Sequence, residues 1–384
     1  MMKKTLLAMA VAALAAPTWA ADSNVTVYGL IDVGMSFVHS DADSARDSTN
    51  KFSMENAQEF GSRWGLRGTE QLGNGLSVGF TLESGFESDT GSLDSKQGGR
   101  LFGREASVNV SGNFGTVWAG RLPIFGSVLG PNGLFRAIDP INANYTVAFG
   151  SRHATASLMT RVDNALAYRT PTVGGFTGYA MYSFKSDATK AGDEGKSSAE
   201  RYGSLALQFK QSALELVAIA DTTNWSNTTA KGEDDGFTFT LGGNYTFDNG
   251  LKVLAFGQYF DNQFLPDVQA GVVYDGLRDL QASVLKEQKA QYSYGYLEGW
   301  GASIGVNYPM LGGVAKASFN YRDMDNQAGT DFTRWTVAAA YDYPLSKRTA
   351  VYVMGGYTRE KIETDVKSAT PSGYQLSTGI VHRF

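Results

Sequence analysis

The chain reads as an all-β protein, a transmembrane antiparallel β-barrel of about sixteen strands. Three observations predict this. Apolar and polar side chains alternate with a period of two, right up to the terminal Phe384; tight turns alternate with long polar segments; and the N-terminus has the makeup of a secretion leader. Successive strand residues point to opposite faces, so a greasy face backed by a polar one marks a stave with lipid on one side and water on the other.

The leader comes first. Met1-Met2-Lys3-Lys4 is a short basic head, and Leu6 to Ala16 is an apolar run too short to cross a bilayer as a helix. Thr18-Trp19-Ala20-Ala21 supplies small residues for cleavage after Ala20 or Ala21, so residues 1–20 form a signal peptide and 21–384 the barrel. Taking Lys3 and Lys4 from the 33 basic residues leaves 31 against 38 acidic ones, a mature charge of −7. That is no footprint for nucleic acid. With no cysteine, neither disulfides nor thiolate metal sites are available. Stability must come from elsewhere, and a closed barrel supplies it by pairing every stave with two neighbours. The 45 glycines and 9 prolines suit many strands joined by turns.

In the first strand Val25, Val27, Gly29, Ile31, Val33, Met35 and Phe37 share one face, and Thr26, Tyr28, Asp32 and Ser36 the other. Phe237 to Phe247 alternates with Thr238, Thr240, Gly242, Asn244 and Thr246. Ala315, Ala317, Phe319 and Tyr321 alternate with Lys316, Ser318, Asn320 and Arg322; Thr333 to Tyr343 alternates with Arg334, Thr336, Ala338, Ala340 and Asp342. At the end Tyr374, Leu376, Thr378, Ile380, His382 and Phe384 stand opposite Gln375, Ser377, Gly379, Val381 and Arg383. A soluble sandwich also alternates, but here the apolar faces carry aromatics near strand ends, as interfacial girdles require.

Tight turns fall at Gly73-Asn74-Gly75, Ser111-Gly112-Asn113, Gly174-Gly175, Asp248-Asn249-Gly250 and Leu311-Gly312-Gly313. Between them lie longer segments, 39–59, 88–100, 123–157, 187–198, 224–236, 262–292, 323–331 and 359–373. Short turns on one side and long loops outside the cell is the outer-membrane pattern. Eight long loops make eight hairpins, and about sixteen strands enclose a water-filled channel. In the sixth, Gly276 to Ala282 has the makeup of a helical turn.

Val25-Thr26-Val27-Tyr28-Gly29, Ser62-Arg63-Trp64-Gly65-Leu66-Arg67-Gly68-Thr69-Glu70 and Leu72-Gly73-Asn74-Gly75-Leu76 carry a family resemblance. So do Phe114-Gly115-Thr116-Val117-Trp118-Ala119-Gly120-Arg121, Arg161-Val162-Asp163-Asn164-Ala165 and the terminal aromatic. Each is weak alone; their order and spacing are specific. Over the whole barrel the chain resembles the Gram-negative general porins, in particular the trimeric β-proteobacterial type. The resemblance implies a homotrimer in an outer membrane of lipid and lipopolysaccharide, and passive diffusion of ions and small hydrophilic solutes. It also implies use of the barrel-assembly machinery, with Phe384 serving assembly rather than conduction. The third external loop of such proteins folds into the lumen and narrows it. Here that loop runs from about Pro123 to Ser157 and opens Pro123-Ile124-Phe125-Gly126. Its Leu129, Leu134, Phe135, Ile138 and Ile141 need a wall to pack against. Family members often place an acid after that proline, where Ile124 stands here.

In a pore the chemistry is electrostatics at a constriction, where charged side chains sort ions. With Trp64 and Leu66 facing out, Arg63, Gly65 and Arg67 face in; with Leu166 and Tyr168 facing out, Arg161 and Asp163 face in. Arg322 and Arg334 share that parity. The resemblance favours Arg104 on the wall, but parity with Ala106, Val108 and Val110 opposes it unless a bulge intervenes; Glu105 then becomes its acidic counterweight. The loop adds Arg136 and Arg152 against Asp139. These residues point to a positive constriction and a mild anion preference. In the opposing reading the arginines pair with Asp32, Glu70 or Asp163 and only brace the wall.

His39, His153 and His382 have no metal-ligand spacing, and nothing resembles a catalytic triad. No cofactor is called for. Two other classes compete with a channel: an adhesin or receptor barrel, whose function lies in its external loops, and a barrel enzyme.

Overall fold

The computed structural model describes residues 24–41, 43, 47–94, 97–141, 151–156, 160–228, 230, 232–265, 295–365 and 368–384. The expected leader and the helical turn at 276–282 lie outside the described residues. Strands run in the order β1 (Asn24–Asp41), β2 (Thr49–Asn56), β3 (Arg63–Gly73), β4 (Leu76–Gly85), β5 (Glu105–Gly112) and β6 (Gly115–Pro123). Next come β7 (Arg161–Arg169), β8 (Phe176–Ser183), β9 (Arg201–Gln211), β10 (Leu214–Asn224), β11 (Gly236–Thr246) and β12 (Lys252–Leu265). The last six are β13 (Gly295–Met310), β14 (Gly313–Asn326), β15 (Asp331–Pro344), β16 (Thr349–Glu363), β17 (Ser368–Ala369) and β18 (Ser372–Arg383).

All pairings are antiparallel, and β18 returns to β1 from Leu30↔Arg383 to Asp41↔Ser372. The sheet therefore has no open edge, and every stave finds hydrogen-bond partners on both sides. The eighteen strands make sixteen staves because two staves are interrupted. β2 pairs with Val33–Ser40 of β1 and β3 with Asn24–Leu30, and β17 and β18 both pair with β16.

The alternation sorts as the sequence predicts. Val25, Val27, Leu241, Ile304, Val353 and Leu376 are exposed on the outer face. Asp32, Ser36, Thr240, Asn320, Thr336 and Ser377 are buried on the polar face. In a membrane the exposed set meets acyl chains, so exposure to water is not its fate.

The glycine-marked turns form as read. At Asn74-Gly75 both residues have positive φ (50° and 78°), the conformation a two-residue hairpin needs. Two short connections carry no such mark: β9 and β10 are joined at Ser212-Ala213, with Ser212 itself at φ 51°, and β15 and β16 are joined through residues 345–348. The expected loop 39–59 is corrected, because β1 continues to Asp41 and β2 fills Thr49–Asn56. Beyond the bilayer water meets both faces of a hairpin, so Lys51 and Glu55 there do not prevent a strand.

Candidate functional site

A basic belt lies on the polar face of the staves from β1 to β7. Gly65 makes room for it: a Cβ there would lie 2.8 Å from both the Leu82 carbonyl and the Tyr28 ring. Tyr28 fills that space and donates to Glu83 Oε2 at 3.0 Å, while the Arg67 guanidinium sits over its ring at 4.9 Å. Glu83 is the shared acceptor of the belt. Arg104 Nε donates to its Oε1 at 2.7 Å, and Arg63 Nη1 lies 3.8 Å from the same oxygen. Arg63 in turn donates through Nε to the Gly61 carbonyl at 2.8 Å. Arg161 donates to the backbone carbonyl of Arg104 at 2.7 Å. Arg136 donates to the carbonyls of Val128 and Gly130, and is one of the like charges within electrostatic reach of Arg63.

A bulge sets the next cation. The register between β6 and β7 shifts between Gly120 and Leu122, with Gly120 at φ 132° and Asn164 at φ 49°. An extra residue in one strand turns two neighbours to one side. Val162 and Asp163 are both buried as a result, and Asp163 accepts from Arg121 Nη1. The second Asp163 oxygen takes Arg100 at 2.9 Å, and Arg100 also reaches Asp187 at 2.6 Å. This ties the loop after β4 to the loop after β8. At Asp187 partial burial opposes the charge, but the hydroxyl and amide of Thr189 and the Arg100 guanidinium outweigh it and hold the carboxyl below its usual range. Burial likewise opposes the Arg100 charge, and Asp187 with Asp163 outweighs it, so that guanidinium titrates higher still.

Among the described residues seven guanidiniums (Arg63, Arg67, Arg100, Arg104, Arg121, Arg136 and Arg161) thus share the belt with four carboxylates, Glu83, Glu105, Asp163 and Asp187. Among the described residues no acid lies within ion-pair distance of Arg67, Arg136 or Arg161.

The segment after β6 packs against wall residues of the same polar parity. Ile124 and Phe125 are 1 % exposed and join Leu134, Phe135 and Ile138 in one cluster with Trp118, Val162, Tyr179, Ile219 and Phe256. Phe125 meets the Tyr179 ring at 5.4 Å and Phe135 meets Phe256 at 5.3 Å. Asn244 Nδ2 donates to the Ala137 carbonyl at 2.6 Å. Glycines leave the bed: a Cβ on Gly242 would meet Ile138 at 3.1 Å and one on Gly305 would meet Pro140 at 2.5 Å. On the returning side Ala156 N donates to Gln258, the Thr155 carbonyl accepts from Arg322, and His153 Nδ1 shares a hydrogen bond with Thr336 at 2.9 Å. Behind these, Arg334 holds Glu360 by two bonds of 3.0 and 2.9 Å, and Arg322 approaches the same carboxylate.

Several expectations need correction here. Arg104 precedes β5 rather than lying in it, so parity does not govern it, and it turns to the polar side. Its counterion is Glu83, the direct cross-strand partner of Glu105; Glu105 instead accepts from Ser107 at 2.7 Å. Asp139 is fully buried and caps the Ile141 amide at 3.1 Å, so it presents no charge to a passing ion. The pairing reading holds for some arginines: Asp163 takes part as named and Glu83 joins it, whereas Asp32 binds backbone and tyrosine. The acceptor Glu83 and the inward break at residues 57–62 were missed, though Glu83 carried one signal, a lone acid on the polar parity of an alternating strand.

A model of the Gram-negative porins matches residues 7–363. An outer membrane porin protein of Bordetella pertussis is 32% identical over the whole of both chains. Outer membrane porin protein 32 of Delftia acidovorans is 30% identical, over 91% of this chain and 88% of that one. Among solved structures, an anion-selective porin from Comamonas acidovorans matches with a TM-score of 0.65 and 25% identity, covering 94% of this chain and all of the other.

Proposed function

This chain belongs to the Gram-negative porin family, and from that premise we propose that it is an anion-preferring diffusion pore whose selectivity resides in the basic belt. Outer-membrane location and a channel role rather than catalysis go with the family and the closed barrel. The finer reading is that residues 124–141 narrow the lumen and leave the belt as the free wall past which solutes move. Water in the lumen lets a solute keep most of its hydration, and the low-dielectric wall focuses the field of nearby charges. A few guanidiniums at the narrowest point therefore outweigh a negative total charge.

The observation that carries this reading is the excess of cations among the described residues, seven against four, with no acid within ion-pair distance of Arg67, Arg136 or Arg161. The position after Pro123, where an acid would balance the field, holds Ile124 at 1 % exposure. The likeness to the anion-selective porin from Comamonas acidovorans supports the same sign. We extend the reading to a homotrimer set among lipid and lipopolysaccharide, placed there by the barrel-assembly machinery with Phe384 as its terminal signal.

The test is conductance of the purified protein in a planar bilayer under a salt gradient. Current steps in threes with a reversal potential on the anion side are expected. A cation-side potential would remove the belt as the selector, and folded protein without conductance would remove the channel reading itself.

A further inference from the structure

Between β2 and β3 the wall does something the ladder does not require. Residues 57–62 span a break opposite only Ile31 and Asp32 of β1. Six residues facing two cannot stay in the sheet, and the surplus turns to the polar face, starting from Ala57 at φ 57°. Gln58, Glu59, Gly61 and Ser62 are buried there.

Asp32, itself fully buried, gathers the break. Its Oδ2 accepts the amides of Glu59 and Phe60 at 2.7 and 2.6 Å, and its Oδ1 accepts Tyr352 Oη at 2.8 Å. The Asp32 backbone completes the hold: its amide donates to Ser62 Oγ, and its carbonyl accepts from Ser62, Ser88 and the Ala57 amide. Gly34 is the bed, since a Cβ there would lie 2.5 Å from the Gln58 amide nitrogen.

Both ends of this fold touch the pore-setting parts. Phe60 packs on the cluster of Leu30, Ile141, Ala338, Ala340, Tyr352, Met354 and Val381, where the described end of the segment after β6 comes to rest. Gly61 supplies the carbonyl that holds Arg63, and a Cβ on it would lie 2.5 Å from the Arg104 guanidinium.

We propose that residues 57–62 are a second lining element of the pore, and that Asp32 is the positioning residue that seats them against Arg63, Arg104 and the Ile141 cluster. This rests on the reading that residues 124–141 narrow the lumen. Asp32 acts through shape and hydrogen bonding and not as a selectivity charge. An amide can reproduce that pattern, with its oxygen taking the two backbone amides and its nitrogen facing the Tyr352 oxygen.

The experiment records single channels of the full chain with Asp32→Ala, Asp32→Asn and Gly61→Ala, each first shown folded by heat-modifiable migration on a gel. Asp32→Ala is expected to flicker among sub-conductance levels and to lose about half of the anion preference. Asp32→Asn should restore both a steady current and the parent reversal potential. Gly61→Ala should shift the reversal potential toward zero by displacing Arg104, and it stands alone if Asp32→Ala fails to fold. Steady parent-like channels from Asp32→Ala or from Gly61→Ala would overturn the inference. So would an Asp32→Asn channel that behaves like the alanine variant. A parent without conductance would instead overturn the reading beneath it, so the two failures are distinguishable.

Discussion

Arg161 and Glu83 sit in the same belt and make opposite predictions. Arg161 donates to the Arg104 carbonyl and the Thr160 hydroxyl, and among the described residues no acid lies within ion-pair distance of it. Replacing it with alanine removes field from the lumen; at an effective dielectric between protein surface and water this lowers the anion-to-cation permeability ratio about two- to fivefold. Glu83 does the reverse. Glu83→Gln leaves Arg63 and Arg104 without their shared carboxylate, so anion preference should rise in reversal-potential measurements while stability falls by roughly 1–3 kcal/mol. Asp187 carries the pH dependence. Its carboxyl is held below the usual range, so the stability of its contact with Arg100 is fully present above the ordinary carboxylate pKa and lost as pH falls through the depressed value. Protease nicking of the loop after β8 should therefore stay at its neutral level through the mildly acidic range and rise only below it. Asp187→Asn should remove that pH dependence.

At the scale of elements, the segment after β6 depends on buried polar supports as much as on its apolar contacts. Arg334 and Arg322 share Glu360, with side chains 0–2 % exposed, and Arg322 passes that hold to the Thr155 carbonyl. Removing one partner from a buried set leaves an uncompensated charge, which costs more than the pair contributes. Glu360→Gln should thus loosen the returning limb and appear as excess open-channel noise, with the reversal potential near that of the parent because Glu360 is shut off from the lumen. An unchanged noise spectrum would show that the apolar cluster alone holds the segment. Much of this element level was legible beforehand. Period-two alternation exposed the staves, and Asn-Gly and Gly-Gly pairs exposed most turns, because both signals are local. The turn at Ser212-Ala213 has neither glycine nor asparagine and is imposed by the ladder of β9 on β10. The break at 57–62 was illegible for a related reason. Nothing in Gln58-Glu59-Phe60 marks an inward turn; it follows from how β2 and β3 share one neighbour, which is a property of the closed sheet. Arg104 shows the limit of parity, which says nothing of a residue lying one position before its strand.

For the whole molecule the decisive event is closure, and the seam between β1 and β18 is where it happens. Gly29 and Phe384 exchange backbone hydrogen bonds at 3.1 and 3.0 Å, the last pairing the chain makes. The Phe384 ring then lies over Gly29, and a Cβ at that position would come within 2.4 Å of the ring and 2.6 Å of the Arg63 carbonyl. Gly29 is therefore small for two reasons at once: the terminal ring needs the slot, and the neighbouring backbone leaves no second place for a side chain. An unclosed sheet would leave two edges of unpaired backbone in lipid, where each unmet group costs several kcal/mol, so the barrel cannot trade a poor seam for a looser one. Gly29→Val should consequently reduce the yield of heat-modifiable, protease-resistant barrel far more than Ala220→Val, an enlargement on an open part of the outer face. Phe384→Ala distinguishes packing from seam geometry: it empties the slot but keeps both backbone bonds, so barrels that form should conduct normally while assembling more slowly. If Gly29→Val combined with Phe384→Ala recovers the yield lost by Gly29→Val alone, the ring is the obstacle. If it does not, the Arg63 carbonyl is, and closure is limited by the approach of the two strands themselves.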